Sequence, residues 1–165
     1  MPAIDPILME IEQESKVTQR VLERIPGDKL TWKPHPTSSS LGQLAMHIAS
    51  GQGRLAEIIS KDTHEIGNMT QPQPGSHKEI LEAFSQNTAT ALQTLKKLND
   101  SQLMAIWTLT RGGKVLLSAP RIGVIRSILM NHFYHHRGQL SVYLRMLEVP
   151  VPSIYGPSAD ENPFA

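Results

Sequence analysis

The chain has no cysteine, which excludes a disulfide framework, a thiolate metal ligand and a thiol nucleophile of its own. Any reactive sulfur must arrive on a bound molecule. An excess of charge is also missing: 16 Lys and Arg stand against 15 Asp and Glu, a formal net charge of +1, with no long run of either sign. Nucleic acid and anionic bilayer surfaces are recognised by concentrated basic fields, so neither is an expected partner. No segment approaches the unbroken apolar length that spans a bilayer, and the opening MPAIDPILMEIEQESK lacks a basic start followed by an apolar core. A soluble, cytoplasmic protein is therefore expected. Its 165 residues suit one domain over 1–165, able to bury a core without staples.

What is present is mostly helical pattern. Asp5 and Pro6 read as N-cap and first helical residue, followed by Leu8, Ile11, Ser15, Thr18, Leu22 and Ile25 at alternating spacings of three and four. The stretch TWKPHPTSSS is too broken for regular structure and reads as a loop anchored by Trp32. Ser40 and Gln43 have capping-box spacing and open a second helix to about Ser60, with Leu41, Leu44, Ile48, Leu55 and Ile58 or Ile59 inward. A loop from Lys61 to Gly75 crosses the bundle, and a second capping box, Ser76 to Glu79, starts a third helix with Ile80, Leu81, Phe84, Ala91, Leu92, Leu95 and Leu98 inward. The helical period then breaks at AIWTLTRGGKVLLSAP, which predicts a short hairpin turning at Gly112-Gly113. A last helix is predicted from Ala119 or Pro120 to Leu147, and the proline-rich tail predicts an extended strap along the outside. The resulting expectation is an all-α protein, a four-helix bundle with a long crossing connection.

The last helix carries the most informative feature. Its inward stripe is Ile122, Ile125, Leu129, His132, His136, Leu140, Tyr143 and Leu147, so two histidines occupy consecutive positions of an otherwise apolar face. Residues four apart on a helix have β-carbons roughly 5 to 6 Å apart, close enough for both imidazoles to reach one metal ion. Spacing alone is weak, since about 0.3 such pairs arise by chance in a chain of this histidine content, and a neutral core histidine can instead be satisfied by two hydrogen bonds. Two stacked on one face, with no acidic residue a turn away, shift the reading toward a metal. His47, beside Ile48 on the inward side of the second helix, is the candidate third ligand, against a core-boundary histidine as the alternative. His35, His64 and His77 fall in or beside loops, and His135 projects to a flank.

Three imidazoles on zinc would leave a coordination position open, as in catalytic sites. Nickel, iron, manganese or cobalt would also accept such ligands, zinc or nickel being favoured. An ion there acidifies bound water or thiol. Gln43, one turn before His47, and Asn131, Arg137 and Gln139 beside the pair are candidates to orient a ligand imidazole or a substrate, with capping and surface pairing as the alternative. Tyr143 could place a hydroxyl in the cavity, or simply pack in the core. Trp32 and Trp107 read as loop anchors or as the lining of a pocket mouth. Glycine-rich phosphate cradles, a Gly-x-Ser-x-Gly elbow and the Glu-x-x-His spacing of di-iron bundles are all absent.

Two segments carry a family likeness. WKPHPTSSSLGQLAMHIA and HFYHHRGQLSVYLR with VPVPSIYGPSADE resemble, respectively, the Trp-x-Pro loop and histidine helix, and the closing His-x-x-x-His-Arg-Gly-Gln helix and proline-rich tail, of the DinB family, the YfiT-like group of metal-dependent enzymes. The resemblance covers nearly the whole chain and places that family's metal triad on His47, His132 and His136. It implies a four-helix bundle with a crossing connection, often a homodimer. For activity it implies less, since the family includes thiol-dependent S-transferases alongside many members without a known reaction; the leading expectation is a metal-dependent enzyme that activates a low-molecular-weight thiol for S-transfer to a small electrophile. A hydrolase using metal-activated water and a non-enzymatic metal-binding stress-response module are the alternatives. Glu148, where the family commonly has glycine before Val-Pro, departs from the pattern at the helix C-cap.

Overall fold

Three long helices, α1 (Asp5–Leu22), α2 (Leu41–Ser60) and α3 (His77–Leu95), pack with a composite fourth in the computed structural model, which describes residues 2–68 and 70–164. A short helix α4 (Asp100–Met104) follows α3, and the composite helix consists of α5 (Arg121–Val124), a π-helical segment (Ile125–Asn131) and α6 (His132–Met146). Both α3 and α6 pack on α2, and α1 closes the ring by packing on the same two helices.

The all-α expectation is corrected by a three-stranded sheet in the order β1 (Thr63–Glu65), β2 (Ile106–Arg111), β3 (Lys114–Pro120). The expected hairpin is β2 and β3, antiparallel and joined at Gly112 and Gly113, whose φ values of 58° and 76° lie where only glycine sits without strain. The correction concerns β1, which runs parallel to β2 and lies inside what reads as a loop. Three residues are too few to show an alternating pattern. Their conformation comes from the free edge of β2, with flanking bonds from Ile66 N to Thr110 O at 2.8 Å and Thr108 N to Asp62 O at 3.1 Å.

The ends of the helices refine the expectations. Ser40 and Gln43 do form a reciprocal capping box. Ser76 Oγ accepts from Glu79 N, but the Glu79 carboxylate turns back to Gly75 N at 2.7 Å, so that box is half made. Asp5 lies within the first turn of α1 and Ile4 is the N-cap, because a turn bond from Asp5 N to Pro2 O starts the helix one residue early. At the far end of α6, Glu148 takes φ 60°, and bonds from Glu148 N to Arg145 O and Val149 N to Leu144 O close a Schellman motif. The departure from glycine thus leaves the C-cap intact and places a non-glycine residue in left-handed backbone.

The last helix begins at Arg121 and departs from regular α geometry between Ile125 and Asn131. Arg121, 1% exposed, donates to Ile59 O at 2.8 Å and Lys61 O at 3.1 Å, pairs with Asp62 at 2.7 Å and donates to Gln102 O. It thereby satisfies carbonyls left open at the C-terminus of α2. The tail is held as a strap: Glu161 pairs with Arg20 and Arg24, Asp160 with Arg145, and both carboxylates accept tail N–H groups, those of Val151 and Ser153. No described helix is long and apolar enough to cross a membrane.

Candidate metal centre

His47 comes from the middle of α2, and His132 and His136 from the first two turns of α6. Their candidate ligand atoms lie within 4.8 Å of one another. The Nε2 of His132 is 2.7 Å from that of His136 and 3.3 Å from that of His47. Close approach of the two helices comes from Gly51, one turn beyond His47: a β-carbon there would meet the Phe133 ring at 2.4 Å. Phe133 is 2% exposed and stacks on His132 at 5.4 Å between centroids, which limits how far that imidazole can turn.

The hydrogen bonds behind the rings determine their chemistry. His132 Nδ1 faces Ile128 O at 3.3 Å and His136 Nδ1 faces Gln139 Oε1 at 2.7 Å. Carbonyl oxygens only accept, so both Nδ1 atoms are the protonated ones and both Nε2 atoms present lone pairs. Two lone pairs 2.7 Å apart repel unless a proton or a metal ion lies between them, and burial disfavours the extra proton. The group fits a divalent ion on that ground, through imidazole nitrogens and with no described carboxylate in the cluster.

Charge is disfavoured on all three rings. Burial lowers the His47 pKa to about 4, helped by repulsion from His136, His132 and Arg54. Burial also lowers His132 and His136, against the bonds to Ile128 and Gln139 that favour their protonated forms, with His135 adding repulsion to both. Neutral imidazoles at neutral pH are the ligating form.

His47 and His132 also line a cavity of about 750 Å³ between α2, the composite helix, the sheet and the loop after β1. Its walls are largely apolar, including Ile58, Trp107 and Ile128, and none of the described lining residues is Asp or Glu. Trp107 is a cavity wall as well as an anchor, its Nε1 donating to Ile58 O at 3.4 Å. Reading the sequence missed Arg54 and His64 as lining residues. Arg54 lies seven residues past His47, a same-face spacing that could have found it. His64 depends on β1 pairing with β2, which no local pattern announces.

The remaining candidates separate. Gln139 holds His136, as described. Gln43 serves the Ser40 cap, accepting from Ser40 N at 3.0 Å and donating to Gln71 O at 3.4 Å, and makes no hydrogen bond to His47. Tyr143 sends its hydroxyl to Ser39 O at 3.3 Å and meets Trp32 edge to face at 5.7 Å, which closes the loop over the start of α2. Asn131 is exposed. Arg137 is corrected most: it is 1% exposed and turns to α1 and the tail, pairing with Glu14 at 2.7 Å and bonding Thr18 and Tyr155 at 3.1 and 2.5 Å. It follows His136 immediately, so the helix turns it about 100° onto the neighbouring face. His77 caps α1 through Leu22 O at 2.8 Å, and His35 bonds Thr37 within its loop.

A ring of helices with three converging imidazoles beside a largely apolar cavity defines a three-histidine helical protein. The sequence pattern of the DinB family matches residues 5–163, and the chain belongs to that family. It is 28% identical to the protein YrdA of Bacillus subtilis (strain 168) over 159 residues, 96% of this chain and 91% of that one. YjoA of the same organism is 28% identical over 132 residues, covering 78% and 80%. The fold is shared with the crystal structure of a DinB-like protein from Bacillus cereus ATCC 10987, at a TM-score of 0.74, 24% identity and coverage of 92% and 97%. The crystal structure of the DinB-like protein YjoA from Bacillus subtilis gives 0.69, 21%, 91% and 98%.

Proposed function

We propose that His47, His132 and His136 hold one divalent metal ion, zinc or nickel, and that the protein is a metal-dependent enzyme transferring a low-molecular-weight thiol to a small electrophile. The observation that carries this reading is the pair of Nε2 atoms 2.7 Å apart, on two rings whose Nδ1 atoms each face a carbonyl oxygen. An ion in that place supplies Lewis acidity, lowering the pKa of the thiol or water it holds. The chain's own residues do the rest. Gln139 and the Ile128 carbonyl hold two of the imidazoles in their ligating tautomer, Phe133 restrains the His132 plane, and the apolar walls keep water from competing for the electrophile.

The acid-free cavity favours thiol over water as nucleophile: a thiol held by the ion would release its proton to solvent at neutral pH, whereas attack by water would also call for a base. A hydrolase is the second reading, favoured by His64, an imidazole on the cavity wall outside the cluster. A purely structural ion accounts less well for two of its three ligands facing a large cavity. A cytoplasmic address and a homodimer complete the proposal.

The test loads the metal-stripped protein with zinc or nickel and follows consumption of chlorodinitrobenzene with and without glutathione or cysteine. Turnover should require both metal and thiol, and His132→Ala should lose the metal with a modest change in melting temperature. Turnover indifferent to thiol supports the hydrolase. A large loss of stability in His132→Ala without turnover in the parent supports the structural ion, and failure to bind either metal overturns the reading.

A further inference from the structure

The cavity beside the histidines has a polarity of its own. Arg20, Arg24, Arg121, Arg126, Arg137 and Arg145 each pair with a carboxylate. Arg54 and Arg111 do not: among the described residues neither side chain has an ion pair or a hydrogen bond, and Arg54 lines the cavity whereas Arg111 is exposed at the hairpin turn. Arg54 is exposed, and its guanidinium stands at the rim of a largely apolar cavity as an unmatched positive charge that faces no acid of the lining. A charge at the rim of a concave, low-dielectric wall has its field focused into the cleft, which draws anions toward the cavity.

The position on α2 adds a length. His47 and Arg54 are seven residues apart, two turns of the same face, which places them about 10 Å apart along the helix axis. Ser50 and Gly51 lie between them on the cavity wall, and the opposite side is apolar, with Trp107 and Ile128. A molecule lying along this face would meet an anion-binding fork at one end, hydrocarbon in the middle and the imidazole cluster at the other. The volume of about 750 Å³ accommodates a small organic molecule.

From this arrangement we infer that Arg54 is a specificity-determining residue and that the cavity binds a small organic anion, a carboxylate or phosphate with an apolar body spanning about 10 Å. The inference deepens the proposed function by naming a substrate class. Only the assignment of the ligand's far end to a reacting position rests on the metal reading. Arg54 holds the anion and does no chemistry.

The experiment titrates the full chain, first stripped of metal and then loaded with zinc, with octanoate, octyl phosphate, acetate, octanol and octylamine. Calorimetry and Trp107 fluorescence report binding. Octanoate and octyl phosphate should bind more tightly than octanol and octylamine in the metal-free protein, and acetate should bind weakly. Which of the two long anions binds better distinguishes carboxylate from phosphate. Arg54→Gln should weaken both about ten- to hundredfold, the worth of a charge-assisted hydrogen bond, and leave octanol unchanged. Arg54→Lys should recover part of the loss. Because Arg54 has no partner in the fold, the zinc content and melting temperature of Arg54→Gln should match the parent. Equal binding of octanoate and octanol, an equal effect of the substitution on both, or no binding of either long anion overturns the inference. Zinc that fails to bind while the Arg54-dependent preference persists removes the metal reading alone. Zinc that binds without that preference removes this inference alone.

Discussion

His136 and Arg137 are neighbours in sequence, yet they belong to opposite kinds of polar interior. On the α1 side of α6, Arg137 meets Glu14, Thr18 and Tyr155, and its guanidinium lies 5.3 and 5.0 Å from the ring centres of Tyr134 and Tyr155. Tyr155 in turn donates to Glu14 at 2.9 Å. Opposite charges are matched, and both Arg137 and Glu14 are buried. On the α2 side, three neutral imidazoles aim nitrogens at one another with no described acid in their cluster, beside an open volume. The first arrangement is complete as it stands and holds the fold together. The second is incomplete in a direction that a ligand can satisfy. Polar groups inside a protein thus differ less by burial than by whether their partners already belong to the chain.

The contrast breaks most readily on the α1 side. Arg137→Ala leaves Glu14 buried without its counter-charge and should cost about 3–5 kcal/mol of unfolding free energy in urea titration. The folded fraction should retain its metal stoichiometry, and a loss of metal proportional to the loss of stability would show that the two faces are one unit. A smaller effect is expected behind the imidazoles. Gln139→Leu removes an exposed acceptor from His136 Nδ1 and should weaken zinc by about 10- to 100-fold in competition with a chelating indicator, with the melting temperature unchanged. A third effect is one of pH. His47 is held below its ordinary 6.5, at about 4, so it binds fewer protons folded than unfolded. Its contribution to stability is present above 6.5 and is lost as pH falls toward 4. The melting temperature of the metal-free protein should therefore decline across that window more steeply than that of a His47→Gln variant.

The parts legible in the sequence are those determined within a few residues. The Ser40 box, the Gly112-Gly113 turn and the placing of His132 and His136 on one side of a helix all follow from local stereochemistry. What escaped depends on distant partners. β1 has strand geometry because β2 offers an edge, and Arg121 is buried because α2 ends with open carbonyls beside it. The π-helical segment defeats a strict α stripe: Val124, Ile125, Leu129, Met130 and Phe133 are buried while Ile122 is only half-buried. Arg137 looks like a flank of the histidines by spacing alone. Only the position of Glu14 across the helix interface shows which flank it serves.

The absent side chain at residue 51 has a consequence for how this site can vary. The Phe133 ring occupies the room that a methyl group would need, so the separation of α2 and α6 at the imidazoles is gauged by backbone against ring. Exchange of one ligating residue for another changes which ion is preferred. The span those ligands must bridge stays calibrated by a contact that itself carries no donor atom.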